Sequence, residues 1–430
     1  MKLINIGGAT AILEHKGRRM LFDPWLNDGI YNGAWYHYPP LKMGIADLGR
    51  FDYIYISHIH EDHCAPGTIK HLNMDAEVII IDREPNFVKK FLDMYGFKFK
   101  KVHLIKPYAP TRISEDLLVD MVEADPEHDL NSMIDSGLVM NWDGFVIYNG
   151  NDCAPHKAGL EHILNTFNKV DLALMYYAGG SSYPPCYSNL THEQKMLEKK
   201  RIFERGLGIF ADAVKTLQPR YAMPFADQYV IGGSRSSLNS YLPHPPDGSA
   251  VLAALRRIGL ESKALLLNSG QAFDFDAGTK VPDEAYHVHT EEDKEAYIHE
   301  HLEDKPYDHE AFVLDHRVPL GRMVALARAQ LWKMQQRGDY FPAFRYYLDV
   351  PDRKLRFEIA LDQEMHQEPA WDAPLINPYL RMSVPSTLLA LLLIGHVSWN
   401  IADAALFIDY ERVPNVYVPK IHAYVNHIRI

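Results

Sequence analysis

Three histidines and two acidic residues fall within the segment His58–His63, which reads His-Ile-His-Glu-Asp-His. Imidazole nitrogens and carboxylate oxygens are ligands that Zn²⁺, Fe²⁺ and Mn²⁺ accept. A single histidine would be ordinary in a surface turn, but the spacing H-x-H-x-D-H indicates a metal site. We expect His58 and His60 to bind one cation, while Asp62 and His63 face a neighbouring position.

The segment before the cluster must position it. Phe51–Ser57 is short, apolar and rich in aromatic residues, which predicts a buried strand that runs directly into the histidines. Sites of α/β proteins form where the chain leaves the carboxyl end of such a strand. Further predicted strands at Ala76–Asp82 and Gly144–Asp152, with a predicted helix at Pro85–Gly96, favour an α/β fold.

Longer helices are predicted further along the chain. One starts at Thr191, whose spacing to Gln194 is that of a capping box, and we expect Gly206 and Gly208 to break it. Near the C-terminus, "FRYYLDVPDRKLRFEIALD" resembles a hairpin. The apolar run "STLLALLLIG" is too short to cross a bilayer, so it predicts a buried helix.

Length and a shift in composition predict more than one unit. We expect a metal-binding catalytic domain at 1–275, an acidic, histidine-containing linker or helix at 276–315, and a C-terminal α+β domain, packed on the first, at 316–430. Within the middle segment, Asp283–Glu310 has eleven acids and five histidines. These could collect metal, but composition favours a solvated acidic helix or linker.

Composition also excludes some partners. The net charge of −12 argues against nucleic acid, because a phosphate backbone requires a basic protein surface. The N-terminus lacks the apolar core of a signal peptide, and no segment is long enough to span a membrane. Three cysteines are too few for a disulfide framework. We therefore expect a cytoplasmic protein with free thiols and no membrane partner.

The sequence "SHIHEDH" resembles the first metal motif of the metallo-β-lactamase fold, and "FDPWL" resembles that fold's Asp-Pro turn. The resemblance implies an αββα metallo-β-lactamase sandwich with a C-terminal α+β extension. It also implies that Asp23 supports a metal ligand, that His128 is the next ligand along the chain, and that Asp152 bridges two metals.

The last metal position departs from the usual pattern of this fold. A histidine is expected after a Met-Pro-like strand end, but "YAMPFADQY" places Ala226 there. Asp227 could substitute for it, and a structural loop acid is an equally good interpretation. The second site would then depend on Asp62, His63 and Asp152. We therefore expect one tightly bound metal per chain and a weaker second one.

Several other stretches resemble one branch of the fold. "MLFDPWL", "YYAGGSSYPPCYS" and "SWNIADAALFIDYERVPNVY" are similar to the catalytic part of the CMP-N-acetylneuraminate hydroxylase family. The resemblance implies an iron-dependent oxygenase whose relatives begin with a Rieske [2Fe–2S] domain. That cluster needs a Cys-x-His and a Cys-x-x-His pair, and only Cys153 and His156 have either spacing. We expect no Rieske cluster in this chain, no domain before residue 1, and electrons from a separate electron-transfer protein or an oxidisable substrate.

Two kinds of catalysis stay open at this point. Mono- or dinuclear iron on the predicted ligands would activate dioxygen, and we favour this reading because the resemblance spans most of the chain. Zinc on the same ligands would instead lower the pKa of bound water to about 7 and hydrolyse an ester, phosphoester or amide. In either case Asp62 and His63 are the predicted catalytic residues. A metal-binding protein without catalysis is a third alternative.

The predicted substrate is a polar small molecule, such as a sugar, a nucleotide-linked compound or a biosynthetic intermediate. Its predicted contacts are aromatic residues and two charged loop residues: Trp35, Tyr36, Tyr176, Tyr177, Asp227 and Arg235. Arg235, in "IGGSRSSLNS", could hold an anion through its guanidinium group. Core packing for the aromatic residues and a flexible loop around Arg235 are the alternative interpretations. The sequence predicts no particular oligomeric state.

Overall fold

The computed structural model describes residues 1–125, 134–226 and 228–430. Its strands coincide with the apolar, β-branched segments of the sequence. In chain order they are β1 (Lys2–Gly7), β2 (Thr10–His15), β3 (Arg18–Phe22), β4 (Trp35–His37), β5 (Tyr53–Tyr55), β6 (Glu77–Ile81), β7 (Lys101–Ile105), β8 (Thr111–Arg112), β9 (Leu117–Glu123), β10 (Ser136–Trp142), β11 (Phe145–Asn151), β12 (Leu172–Met175), β13 (Tyr221–Pro224), β14 (Tyr229–Ile231), β15 (Ala272–Asp274), β16 (Thr279–Val281), β17 (Arg345–Val350), β18 (Leu355–Ala360), β19 (Tyr379–Ser383) and β20 (Asp409–Val413).

The helices connect these strands and cover the sheets. In the described ranges none of them combines the length and apolar character needed to cross a bilayer. In chain order they are α1 (Ile30–Gly33), α2 (Pro66–Ile69), α3 (Phe87–Tyr95), α4 (Lys157–Phe167), α5 (His192–Leu217), α6 (Ala250–Arg257), α7 (Glu291–His301), α8 (Leu320–Gly338), α9 (Ser386–Leu393), α10 (Trp399–Ala404) and α11 (Pro419–Val425).

Two mixed sheets pack face to face in the first part of the chain. The first has the strand order β16-β15-β1-β2-β3-β5-β6-β7, and the second has the order β13-β12-β11-β10-β9-β8. Their facing side chains form one buried apolar core, which includes Phe22, Tyr55, Met140 and Trp142. Burial of this core favours folding through the hydrophobic effect and fixes the two sheets against each other.

Parallel strands make up one side of each sheet and include an edge strand. β3, β5, β6 and β7 are parallel neighbours in the first sheet, and β11, β12 and β13 are parallel neighbours in the second. Parallel strands end at a common edge, so the loops that follow them meet there. The loops after β3, β5 and β11 carry Asp23, the segment His58–His63 and Asp152.

Helices cover the outer faces of the sandwich. α2 and α3 pack on the first sheet, where Ile69 and Phe91 join Ile80 in a buried cluster. α4, α5 and α6 pack on the second sheet, where Ile163 and Phe210 belong to another cluster. The layers therefore have the order αββα, and the fold class predicted from the sequence is confirmed.

Helix α5 runs without a break, so the expected break at Gly206 and Gly208 is wrong. Its capping box is present as predicted. The Gln194 N–H donates to Thr191 Oγ1 at 3.3 Å, and the Thr191 N–H donates to Gln194 Oε1 at 2.8 Å. A Cβ atom at Gly206 would lie 2.4 Å from the carbonyl oxygen of Ala178, so this glycine allows the helix to approach the loop after β12.

The C-terminal region adds a four-stranded sheet with the order β18-β17-β19-β20. β17 and β18 form the predicted hairpin, with Arg345 opposite Ala360. The core of this region continues into the sandwich, because Trp35 and Tyr187 belong to the same buried cluster as Leu348. The α+β extension is thus packed on the sandwich. The boundaries at 275 and 315 stay predictions.

Part of the acidic segment folds into a helix. It contains α7, whose first turn is acidic and which begins at the N-cap Thr290. Ile298 packs in a small apolar cluster with Tyr36, and Lys294 Nζ donates to the carbonyl oxygen of His244 at 3.0 Å. This helix therefore covers the sandwich with one face.

Candidate metal centre

His58, His60 and Asp135 form a first ligand group. The Nε2 atom of His58 lies 2.9 Å from His60 Nδ1 and 3.4 Å from Asp135 Oδ1. Two ligands bound about 2.1 Å from one ion at angles of about 90–110° lie about 3.0–3.4 Å apart, so these spacings fit a shared cation. Burial lowers the pKa of both histidines and keeps the rings neutral, as metal ligation requires.

His63, Asp62 and Asp152 form a second ligand group. The Nε2 atom of His63 lies 3.0 Å from Asp152 Oδ2 and 3.2 Å from Asp62 Oδ2. Burial alone would raise the pKa of Asp62, but His63, His60 and a hydrogen bond from Tyr31 lower it to about 2. Burial lowers the pKa of His63, but Asp152, Asp62 and Asp23 raise it well above its usual value. In the absence of a metal, Asp62 is therefore ionised as the partner of a charged His63, and a bound cation would take the place of that proton.

The two groups adjoin each other. One donor atom each from His58, His63 and Asp152 lies within 4.8 Å of the other two. All six side chains in the two groups offer nitrogen or oxygen donors, a set that suits divalent iron, zinc or manganese. The residues present thus fit the metal that the predicted motif requires.

Asp23 and Ser57 support the histidine rings from behind. The Ser57 hydroxyl and N–H donate to Asp23 at 2.9 and 2.7 Å, and Asp23 Oδ2 lies 3.0 Å from His63 Nδ1. Because the hydroxyl proton points to Asp23, Ser57 Oγ can accept from His58 Nδ1, 2.9 Å away. These contacts leave the Nε2 atom of both rings facing the ligand groups.

Tyr31 is a site residue that the sequence reasoning missed. Its Oη donates to Asp62 Oδ1 at 2.7 Å, and its N–H donates to Glu61 Oε2 at 2.6 Å. Its backbone is left-handed, with φ 53° and ψ 53°, which is uncommon for a bulky side chain. The only signal in the sequence is its place in the aromatic loop before Trp35.

Asp135 was also missed. It directly precedes β10 and is fully buried, with its backbone carbonyl accepting a hydrogen bond from Arg83 at 2.9 Å. The sequence reasoning sought the next ligand in this stretch and chose His128. An acid at the start of a buried strand was the available signal for Asp135.

Two predicted residues, His128 and Asp227, lie outside the described residues, and their roles stay predictions. Ala226 is described and has a left-handed backbone with φ 76°. Its N–H donates to the carbonyl oxygen of Gly8 at 3.1 Å, and its methyl group offers no ligand atom.

The predicted aromatic substrate residues lie in different environments. Trp35 stacks on Tyr229 with ring centroids 3.3 Å apart, and its Nε1 donates to the Ala404 carbonyl. Tyr36 packs against α7, and Tyr177 belongs to the core beside α5. Tyr176 is half-buried and its N–H donates to the Asn151 carbonyl at 3.1 Å, directly beside Asp152. Of these four residues, Tyr176 forms a backbone hydrogen bond with Asn151, which directly precedes the predicted ligand Asp152.

Arg235 lines a cavity, and none of the proposed metal ligands lines that cavity. Its guanidinium group pairs with Asp409 at 2.6 Å. The cavity, of about 330 Å³, lies between the sandwich and the C-terminal region, and Tyr307, His309 and Phe407 also line it. A role of Arg235 in binding substrate stays a prediction.

Residues 2–175 match the family model described as a beta-lactamase superfamily domain. This part of the chain is a beta-lactamase superfamily domain. The match ends at the last residue of β12 and includes the described members of both ligand groups. The two packed sheets and the helices that cover them have the metallo-β-lactamase fold.

Similar proteins include hydroxylases and hydrolases. The cytidine monophosphate-N-acetylneuraminic acid hydroxylase of Danio rerio is 30% identical over 235 residues, which are 53% of this chain and 38% of that protein. The chain spans less than two fifths of the length of the curated relatives it matches.

Two solved structures have TM-scores of 0.44 and 0.43 and are each 17% identical. The first is an isothiocyanate hydrolase from Delia radicum gut bacteria, with 64% of this chain and 99% of that chain covered. The second is CmlA, a diiron β-hydroxylase from Streptomyces venezuelae, with 62% and 53% covered. Likeness at this level does not distinguish the two reactions.

Proposed function

We propose that this protein is a non-haem iron oxygenase that hydroxylates a polar small molecule. The observation that carries the proposal is the composition of the first ligand group, two histidines and one carboxylate: His58, His60 and Asp135. This donor set, with coordination positions left open, is typical of iron oxygenases. The likeness to a hydroxylase from Danio rerio supports the same class of reaction.

The second ligand group would hold a second iron with two carboxylates and one imidazole, from Asp62, Asp152 and His63. When bound, the iron supplies the one-electron and dioxygen chemistry that side chains lack. His128 would be a further ligand of the ion held by His58 and His60. Electrons would come from a separate electron-transfer protein or from an oxidisable substrate.

The remaining chemistry belongs to the chain. Asp23 fixes the orientation of His63, and Tyr31 occupies Asp62 Oδ1 with a hydrogen bond, so Oδ2 faces the ligand group. Asp62 is ionised at neutral pH and would bind a cation through its free oxygen. Substrate would approach from the side of Asp152, whose side chain is 30% exposed while His63 is fully buried.

We propose that the substrate is a sugar, a nucleotide-linked compound or a biosynthetic intermediate. Tyr176 is the aromatic residue best placed to contact it, because its backbone is hydrogen-bonded to the residue before Asp152. An aromatic ring beside the open side of the centre would exclude water from the bound substrate.

A zinc-dependent hydrolase is the second candidate. The observation in its favour is the pair of adjoining ligand groups, because two neighbouring metal ions can hold and activate a water molecule. This reaction needs no electron donor. The two candidates differ in the metal that the protein retains.

The metal content of protein purified under anaerobic conditions tests the proposal. We expect iron to be the metal present in protein purified from cells supplied with iron, because selection for iron depends on its availability and on site geometry more than on raw affinity, which favours zinc. Asp135→Ala should lose the tighter ion, whereas Asp93→Ala, at an exposed acid on α3, should retain it. Tight zinc binding with no retained iron would favour the hydrolase and contradict the proposal.

A further inference from the structure

The cavity beside Arg235, of about 330 Å³, lies at one edge of the C-terminal sheet. β17 and β19 are parallel neighbours, and they end at Val350 and Ser383. Ser383 lines the cavity, together with two residues that follow the strands, Pro351 and Val384. Crevices beyond the carboxyl ends of parallel strands are common ligand sites, and this volume falls within the usual range of small-molecule pockets.

The buried side of the cavity, its floor, is apolar and partly aromatic. It is formed by Tyr307, Phe407 and Leu388, which are all buried. The ring centroids of Tyr307 and Phe407 lie 4.7 Å apart, and the Tyr307 Oη donates to the carbonyl oxygen of Gly232 at 2.7 Å. Because these contacts fix both aromatic side chains, a flat apolar group can pack on the floor without reorganisation of the chain.

The exposed rim of the cavity is acidic. Among the described residues that line the cavity, Glu310, Asp352 and Asp409 carry carboxylates, and Arg235 carries a guanidinium group. Burial lowers the pKa of His309, so its ring adds no charge at neutral pH. The lining therefore has an excess of negative charge, which attracts cations and repels anions.

Glu310 is the carboxylate best placed to receive a cation. Asp409 pairs with the Arg235 guanidinium group at 2.6 Å. Asp352 accepts from the N–H and the hydroxyl of the first residue of α9, at 2.9 and 2.6 Å, where the helix dipole favours a negative charge. Glu310 accepts from the Tyr307 N–H at 3.0 Å, a neutral donor that does not balance the charge of the carboxylate.

We propose that this cavity is a second small-molecule site, which binds a protonated primary amine that carries an aromatic ring. The ring packs on the floor formed by Tyr307, Phe407 and Leu388, and the ammonium group pairs with Glu310 at the rim. None of the proposed metal ligands lines the cavity, so the proposal depends neither on the metal nor on the proposed reaction.

The test compares three ligands of similar shape in ligand-observed NMR titrations of the full chain at low salt: 2-phenylethylamine, 2-phenylethanol and phenylacetate. The amine should bind with a dissociation constant of about 1–10 mM, which is reasonable for a ligand of this size. It should bind about two- to fivefold more tightly than the alcohol, the usual effect of an exposed ion pair, and phenylacetate should bind most weakly. High salt should reduce the advantage of the amine.

Glu310→Gln should lower the affinity for the amine to that for the alcohol, because the two ligands then differ in no charge contact at the rim. Glu204→Gln, at an exposed glutamate on α5, is the matched control and should retain the preference for the amine. Ser383→Phe should fill the cavity and abolish binding of both ligands. Thermal unfolding checks that the variants fold, and the Glu310→Gln comparison decides alone if Ser383→Phe does not.

The proposal is overturned if no ligand binds, if the alcohol or phenylacetate binds as tightly as the amine, or if Glu310→Gln retains the preference. A folded Ser383→Phe protein that still binds the amine would also overturn it. Metal-free and zinc-loaded protein should bind the amine alike, and binding that requires zinc would place the amine at the metal centre instead. Absence of dioxygen chemistry would contradict the proposed function without altering these results.

Discussion

Replacing Tyr31 by phenylalanine should weaken the second ligand group and leave the first unchanged. The lost hydrogen bond is 2.7 Å long and has an ionised acceptor. Tyr31 is 2% exposed and Asp62 is 6% exposed, so water cannot readily replace the hydroxyl. A hydrogen bond to a charged group contributes about 1.5–3 kcal/mol, which corresponds to about a 10- to 100-fold change in an equilibrium constant.

We expect this loss in the weaker of two metal-binding steps, because Asp62 would no longer be fixed with Oδ2 towards His63. Titration with Zn²⁺ against a chromophoric chelator resolves the two steps. Tyr95→Phe, at an exposed tyrosine on α3, is the control and should change neither. The reasoning is refuted if Tyr31→Phe leaves the weaker step unchanged, or if only the tighter step weakens.

Three further predictions address the site and the fold. Asp62→Asn should retain most of one metal equivalent while turnover falls about 10²- to 10⁴-fold, and metal analysis that finds no bound ion would place Asp62 in the tighter site. The unmodified chain should bind one ion tightly and a second only at high metal concentration. Ala226→His should raise the affinity for the second ion. Two fully occupied sites in the unmodified chain would contradict this. Burial and Arg412 lower the pKa of His422 to about 4, so the folded state takes up a proton less readily than the unfolded state. The resulting stability is complete above pH 6.5 and is lost as the pH falls towards 4, by about 2 kcal/mol at pH 5. Denaturant unfolding of His422→Gln should show a smaller loss between pH 7.5 and 5, and an equal loss would contradict the assignment.

Local patterns predicted the part of the site that is local in the sequence. His58–His63 follows an apolar strand directly, so both its ligand chemistry and its place at a strand end could be read from a few residues. Asp152 was implied by the family resemblance, which places an aspartate at the end of a strand, and it follows β11 in the structure. The capping box at Thr191 was equally local, because its two partners are three residues apart.

Contacts between residues that are far apart in the sequence were not predicted. Tyr31 reaches Asp62 only after α1 has packed against the loop that follows β5, and no distinctive pattern surrounds Tyr31 in the sequence. Gly206 was predicted to break the helix because helix propensity takes no account of contacts with other elements. A glycine is needed at this position because the carbonyl oxygen of Ala178, in the loop after β12, lies too close for a Cβ atom.

Dioxygen uptake by the iron-loaded chain tests the central claim most directly. The protein would be loaded with Fe²⁺ under anaerobic conditions, reduced chemically, and mixed with dioxygen in an oxygen-electrode cell beside the zinc-loaded protein. We predict rapid uptake in proportion to bound iron, no uptake with zinc, and loss of the uptake in His58→Ala. Iron-loaded protein that consumes no more dioxygen than free Fe²⁺, together with ester or phosphoester hydrolysis by the zinc form, would contradict the account.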